Sequence, residues 1–240
     1  MARFYLPPAA WHSQAQLEEE ESRHCAQVLR HAAGDTITVF DGCGRSATAT
    51  LLDVRKNTVS LEIGDVLFHP SPGPTLLLAQ AVPKGKTMEW IIEKAVELGV
   101  AHIVPLVTRH TVVKYDAQEA IKKAQKWQKV ALEACKQSGQ YWMPIVEPPV
   151  DGRDFLAQER DGGKIIASLA PGAQPLRRVI EALPASEQVT AMIGPEGDFS
   201  SEETQLALDA GYQPASLGDL VLRSETAALF TLSALRFYFC

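Results

Sequence analysis

The stretch "MIGPEGDFSSEE", Met192 to Glu203, decides how the chain is read. An apolar strand ends there, a loop follows in which Pro195 stands between Gly194 and Glu196, and a helix begins with Ser200 and Glu203 in capping-box spacing. Strand, tight Gly/Pro loop and capped helix together make one step of a parallel α/β sheet. Folding alone gives no reason for a carboxylate, Glu196, between two glycines.

The pattern extends on both sides of that loop. "TLLLAQAV", "AHIVPLV", "KIIASL" and "VTAMIG" read as buried strands, and helical periodicity separates them. Thr87 is expected to cap the helix "MEWIIEKAVEL", with Met88, Ile91, Ile92, Ala95 and Val96 on one face and Gly99 stopping it. A long helix is expected from about Asp116 to Ser138, with Asp116 and Glu119 spaced as a capping box and Gly139 beyond its end. Gly211 closes the helix after Ser200, "PASLGDLVL" is a short strand plus loop, and "SETAALFTLSALRFYF" is a strongly apolar terminal helix. Such alternation predicts a parallel sheet covered on both faces. The first 70 residues are different. "DTITVF", "SATATLLDV" and "TVSLEIGDV" read as strands, with one helix, "EESRHCAQVLRHAAG", expected to close at Gly34. The Pro/Gly cluster "HPSPGP", 69–74, is the expected boundary between two domains, 1–70 and 75–240.

The chain has 240 residues, 46% hydrophobic and 22% charged, enough for a sizeable core. Its apolar runs are too short to span a bilayer, and no signal peptide is expected from the N-terminus. Cys25, Cys43, Cys135 and Cys240 are scattered, which suits reduced thiols in the cytoplasm. His12, His24, His31, His69, His102 and His110 form no ligand spacing, so no metal is expected. The formal net charge of −6 argues against an unselective nucleic-acid binder. Lys and Arg against Asp and Glu number 6 and 9 over 1–70, 10 and 7 over 71–150, and 7 and 13 over 151–240. A polyanion would therefore meet a local basic surface, built from the middle third.

Ligands of open parallel sheets sit beyond the carboxyl ends of the strands. Three loops qualify: "SLAPG", "GPEGDF" and "LGDLVLRSET". Gly194 and Gly197 are expected to let backbone approach a ligand, with Pro195 keeping the loop stiff; the plainer alternative is ordinary turns. Neither a Walker loop nor a dinucleotide fingerprint occurs.

"IGPEGDFSSEE" followed by "LGDLVLRSETAAL" resembles the SPOUT-class methyltransferases that methylate N3 of one uridine in bacterial 16S ribosomal RNA. The resemblance extends over nearly the whole chain, through "VLRHAAGDTITVFDGCG", "AVPKGKTMEWIIEKAVELGV" and "EACKQSG". It implies a small PUA-like RNA-binding β-barrel, then a SPOUT domain with a C-terminal trefoil knot, acting as a homodimer on the small ribosomal subunit. It implies S-adenosylmethionine as cofactor, held by Leu169, Ile193, Gly194, Pro195, Gly197, Leu217, Gly218, Leu220, Leu222, Thr226 and Ala227. Two departures stand out. Gln140 occupies the place of a usual arginine after "QSG", and His110 replaces a smaller polar residue.

Uridine N3 carries a proton at neutral pH, so the site must remove it or stabilise the resulting anion. A fixed guanidinium suits the second task, and Arg223 is the first candidate. Glu225 and Glu196 are candidates for the base. Their plainer alternatives are a helix N-terminal carboxylate for Glu225, an exposed loop residue for Glu196, and a surface ion pair for Arg223. Arg30, Lys84, Lys86 and Arg109 are candidates for RNA phosphate, or simply solvated charges. Two competing readings remain: a non-catalytic RNA-binding assembly factor, and a methyltransferase acting on transfer RNA or a small molecule.

Overall fold

The computed structural model describes residues 2–184 and 186–239, so Cys240 lies outside the described residues. The chain forms two compact units: Met1–Ser71 with Leu132–Met143, and Pro72–Ala131 with Pro144–Cys240. One crossing falls within the Pro/Gly cluster 69–74. The other two fall at 131/132 and 143/144, where the periodicity gives no signal because a single helix runs through the first of them.

In the first unit, β1 (Arg3–Tyr5), β2 (Gln14–Gln16), the short helix α1 (Glu19–Arg23), β3 (Thr36–Phe40), β4 (Arg45–Arg55) and β5 (Thr58–Phe68) follow in order. The sheet runs β1-β3-β4-β5-β2, with β1 parallel to β3 and the other pairs antiparallel. All five strands contribute to one core, which includes Phe4, Ala15, Ile37, Ala49 and Leu61. The ladder shifts register between Ala47/Ala49 and Leu51/Asp53, where a long hairpin bends. After α1 the helix loosens into a π-helical turn, His24–Val28, and Arg30 takes a left-handed φ of 57°. The helix therefore stops before Gly34, which instead belongs to the following turn. The segment Leu132–Met143 adds Lys136, whose ammonium meets Glu21 at 2.7 Å with both side chains buried, and Tyr141, which stacks on His69.

The second unit carries β6 (Thr75–Ala81), α2 (Thr87–Glu97), β7 (His102–Val107), α3 (Ala117–Ser138), β8 (Ile145–Val146), β9 (Val150–Asp151), α4 (Gly152–Leu156) and β10 (Gly163–Ala167). It continues with β11 (Gln174–Pro175), α5 (Leu176–Glu181), β12 (Gln188–Ile193), α6 (Ser201–Asp209), β13 (Gln213–Ser216) and α7 (Ser224–Phe239). The end of α3 belongs to the first unit. Every strand pair is parallel, in the order β11-β13-β10-β12-β6-β7-β8, with β9 also on β7. Strand β12 is central and almost wholly buried because both its faces are covered. Leu77, Met192, Phe199 and Ala207 pack on one face. On α2, Met88, Ile91, Ile92, Ala95 and Val96 are buried as the spacing predicts.

Both capping boxes form. Asp116 and Glu119 exchange backbone N–H bonds at the start of α3, and Ser200 and Glu203 do so at α6. Thr87 does not cap α2: it is the first helical residue, and Lys86 precedes it with no side-chain cap. The short pieces β8, β9, β11 and α4 carry too few residues for periodicity to reveal them.

Candidate active site

Strands β10, β12 and β13 are parallel neighbours, so Ala167, Ile193 and Ser216 end on one edge of the sheet. The loops that leave them enclose a cleft of about 220 Å³. Leu169, Leu220 and Val221 line it although 61%, 78% and 76% exposed. Large apolar side chains held in water around a concavity mark a ligand wall. Ile193 and Ala227 are buried lining residues.

The loop after β12 is held from three distant places. Ser224, at the start of α7, donates from Oγ to the Gly194 carbonyl at 2.6 Å and accepts from Gln80 Nε2 at 2.9 Å. Glu196 Oε1 accepts the Lys84 backbone N–H at 3.1 Å. His110 Nδ1 lies 2.9 Å from the Asp198 carbonyl oxygen. Within the loop, Asp198 N–H donates to the Pro195 carbonyl, and Asp198 takes the left-handed φ of 58°. The two glycines therefore do not supply the turn. They allow close packing: a Cβ at Gly194 would meet the Phe199 ring at 3.3 Å, and one at Gly197 would meet His110 Cβ at 3.2 Å. Gly218 is the glycine here with a positive φ, 121°, beside open space.

Of the residues singled out in the sequence, Leu169, Ile193, Gly194, Pro195, Glu196, Leu217, Gly218, Leu220, Leu222, Arg223 and Ala227 line the cleft. Gly197 does not, since its open side faces His110, and neither does Thr226, which is exposed on α7. Glu225 also lies off the cleft; it is a half-buried carboxylate in the first turn of α7, where the helix dipole favours it. Arg223 is exposed at the cleft and has no ion pair among the described residues. The surface ion-pair alternative thus has no partner here. Lys84 and Lys86 are exposed in the loop after β6, Arg109 in the loop after β7, and Arg30 in the first unit.

Ala167, Ser168, Asp198, Val221 and Ser224 also line the cleft and have no distinct sequence signal. Gln80 does have one: it is a fully buried polar residue inside the apolar run "TLLLAQAV". Its amide also bonds the Ala81 carbonyl, and its Oε1 has no protein partner. The departure at Gln140 is occupied locally, because its side-chain oxygen accepts the Tyr141 and Trp142 N–H groups. The guanidinium beside Gly139 is that of Arg3, 4.4 Å from the Tyr141 ring centre. Burial lowers the pKa of Arg3. Among the described residues no group of His, Cys, Asp and Glu could hold a metal ion, and no helix is long and apolar enough to cross a membrane.

Residues 69–236 match the RNA methyltransferase domain family, and residues 17–64 match the RNA methyltransferase PUA domain. The chain is 30% identical to ribosomal RNA small subunit methyltransferase E of Bacillus subtilis over 91% of its length and 88% of that protein's. It is 31% identical to the Synechocystis protein of that name, covering 90% of this chain and 71% of that one. Among solved structures, the Neisseria gonorrhoeae ribosomal RNA small subunit methyltransferase E, bound to S-adenosyl methionine, superposes with a TM-score of 0.90 at 32% identity. That match covers 100% of this chain and 98% of the other. Full-length similarity, together with the three loops at one sheet edge, places the chain in the ribosomal RNA small subunit methyltransferase E family of RNA methyltransferases.

Proposed function

We propose that this chain methylates N3 of a uridine in the 16S RNA of the small ribosomal subunit, with S-adenosylmethionine as donor. One observation carries the reading: the β10, β12 and β13 loops build an apolar, backbone-rich cleft with an unpaired arginine on it. That lining fits the donor, because Leu169, Leu217, Leu220 and Leu222 offer apolar walls while the loop backbones offer polar atoms. The donor supplies an electrophilic methyl group on a sulfonium. The chain supplies alignment, which is worth orders of magnitude in rate, and charge stabilisation.

Once the N3 proton leaves, negative charge spreads over the uracil O2 and O4, and Arg223 is the cleft residue able to meet it with a planar fork of donors. Glu196 is the carboxylate on the cleft most suited to accept that proton. Its Oε1 also holds the Lys84 N–H, so loop positioning is its second task. Arg30, Lys84, Lys86 and Arg109 serve as phosphate contacts, all four being exposed.

Several finer features belong to the same reading. Residues 1–70 act as the RNA-docking PUA-like domain and 75–240 as the SPOUT domain. The knot is supported by the path from β12 to β13 on the far side of β10, and by the Ser224 tie from α7 back to Gly194. A homodimer formed through α7 is supported by Phe230, Phe237 and Tyr238, which leave a large apolar surface in water. The enzyme works in the cytoplasm, where its substrate is made. Mapping N3-methyluridine in 16S RNA from cells with and without the protein tests the proposal; an unchanged map overturns it.

A further inference from the structure

A second cleft, of about 600 Å³, opens at the carboxyl end of β7, and its chemistry differs from that of the first. Arg109, Lys114 and Arg153 line it together with Tyr115. Two carboxylates also line it: Glu203 is engaged by the protein's own donors, while exposed Asp151 uses one oxygen as a helix cap. Glu203 accepts from the Arg109 N–H at 2.8 Å and from Ser200 N and Oγ at 2.9 and 2.8 Å. Asp151 accepts the Arg153 N–H at 2.8 Å as the cap of α4. Of the three cations, Arg153 pairs with exposed Glu202, whereas Arg109 and Lys114 have no ion pair among the described residues.

The cleft is built on a fixed frame. Thr108 and Thr111 are buried and bond each other through their hydroxyls at 2.9 Å, and a turn closes from the Thr111 N–H to the Thr108 carbonyl. Half-buried Tyr115 stands edge-on to Trp127, which fixes its ring and leaves an aromatic wall beside the free cations. A rigid aromatic ring next to two cations that are in no ion pair among the described residues suits a planar base joined to a phosphate. It does not suit a simple anion, which needs no ring, or an apolar ligand, which needs no charge.

The position of this cleft gives it a task. Strands β12, β6 and β7 are consecutive neighbours, so the carboxyl ends of β12 and β7 stand about 10 Å apart. The loops there are joined directly, since His110 bonds the Asp198 carbonyl and Glu203 caps α6 while holding Arg109. Lys84 and Lys86 lie on the loop between them, after β6. We infer that this second cleft binds a nucleotide flanking the methylated uridine, with its base against Tyr115 and its phosphate on Arg109 and Lys114. This rests on the RNA methyltransferase reading above. It adds a track along the sheet edge, from the methyl-transfer cleft over Lys84 and Lys86 to β7.

Steady-state methyl incorporation into 30S subunits by the full chain tests it, with KM for subunits and kcat measured separately at several salt concentrations. Lys114→Ala is expected to raise KM and to reduce the slope of log KM against log salt by about one. Tyr115→Ala should raise KM about tenfold and Tyr115→Phe should restore it, because the ring rather than the hydroxyl is the contact. Affinity for S-adenosylmethionine should stay at the wild-type value in all three. Unchanged KM and salt slope in the alanine variants overturn the inference while the methyltransferase reading stands, and so does a fall in kcat alone. If the wild type transfers no methyl, that reading fails by itself. Filter binding of 16S RNA by the same variants then decides on the cleft, with lost affinity supporting it and wild-type affinity overturning it.

Discussion

Two loops of this protein look alike in sequence and differ in how much of their frame they supply themselves. "DGCGR", Asp41 to Arg45, carries an internal frame: Asp41 accepts the Cys43 and Arg45 N–H groups and the Arg45 guanidinium, and Gly42 and Gly44 take left-handed φ of 73° and 89°. "GPEGDF", Gly194 to Phe199, has glycines without left-handed φ and is fixed by Ser224, Lys84 and His110, which lie far away in sequence. The first loop joins two strands and has a frame of its own, to which 141–143 adds backbone bonds from Gly44 N–H to the Tyr141 carbonyl and from Met143 N–H to the Gly42 carbonyl. The second depends on three other segments being in place, so it reports on the assembly of the entire cleft. A binding loop held from afar can be set to the geometry its ligand needs rather than to the geometry of a turn.

Substitutions can break or sharpen that contrast. The largest effect is expected in the remotely held site: Arg223→Ala should lower methyl transfer to 30S subunits about 10²–10³-fold, roughly 3–4 kcal/mol, with little change in calorimetric affinity for S-adenosylmethionine. Arg223→Lys should recover little, because a point charge lacks the planar fork. Near-normal turnover in either variant would remove the assigned role. Next comes the loop with its own frame. Gly44→Ala puts a Cβ 2.5 Å from the Trp142 ring at a φ that L-residues avoid, and should cost about 2–3 kcal/mol in denaturant unfolding. If stability is unchanged, the loop is not as rigid as its bonds suggest.

Ser224→Ala leaves the Gly194 carbonyl and the Gln80 amide without their shared partner. It should weaken S-adenosylmethionine binding by about 1–2 kcal/mol, with Ser224→Thr keeping more of it than Ala. Wild-type affinity in the alanine variant would mean that the loop holds its shape without this tie. The smallest effect is expected from Glu196→Gln, which keeps an oxygen for the Lys84 N–H and loses only the charge. Turnover should fall by less than about tenfold if holding the loop is the main task. A fall beyond about a hundredfold would make Glu196 the principal proton acceptor instead.

The same contrast explains what could be read in advance. Periodicity and caps are local, so β6, α2, β7, α3, β12 and α6 were legible from "TLLLAQAV" onward, as was the left-handed glycine beyond α3. The cleft's apolar walls followed from motif resemblance. Ser224 was not legible as a loop tie, because its two partners are 30 and 144 residues away. Gln80 left a trace as a lone amide in an apolar strand, but nothing local says what it faces. The end of the first helix was misplaced for the opposite reason: Gly34 is the residue that usually stops a helix, yet Arg30 adopts the left-handed turn first. At Gly197 the local sequence does not show that the missing side chain makes room for His110, which is 87 residues away.

The division of α3 between the two units bears on synthesis. The first unit includes Leu132–Met143, from which Lys136 pairs with buried Glu21, Tyr141 stacks on His69, and Trp142 bridges to Cys43. A nascent chain that has emerged only to residue 71 holds five strands but lacks these partners, and Glu21 waits without its cation. Completion comes some 70 residues later, roughly 4–14 s at about 5–20 residues per second. By then β6, α2 and β7 have already left the ribosome. The amino-terminal part of this protein therefore cannot finish first: its last pieces arrive only after the other unit has begun to form.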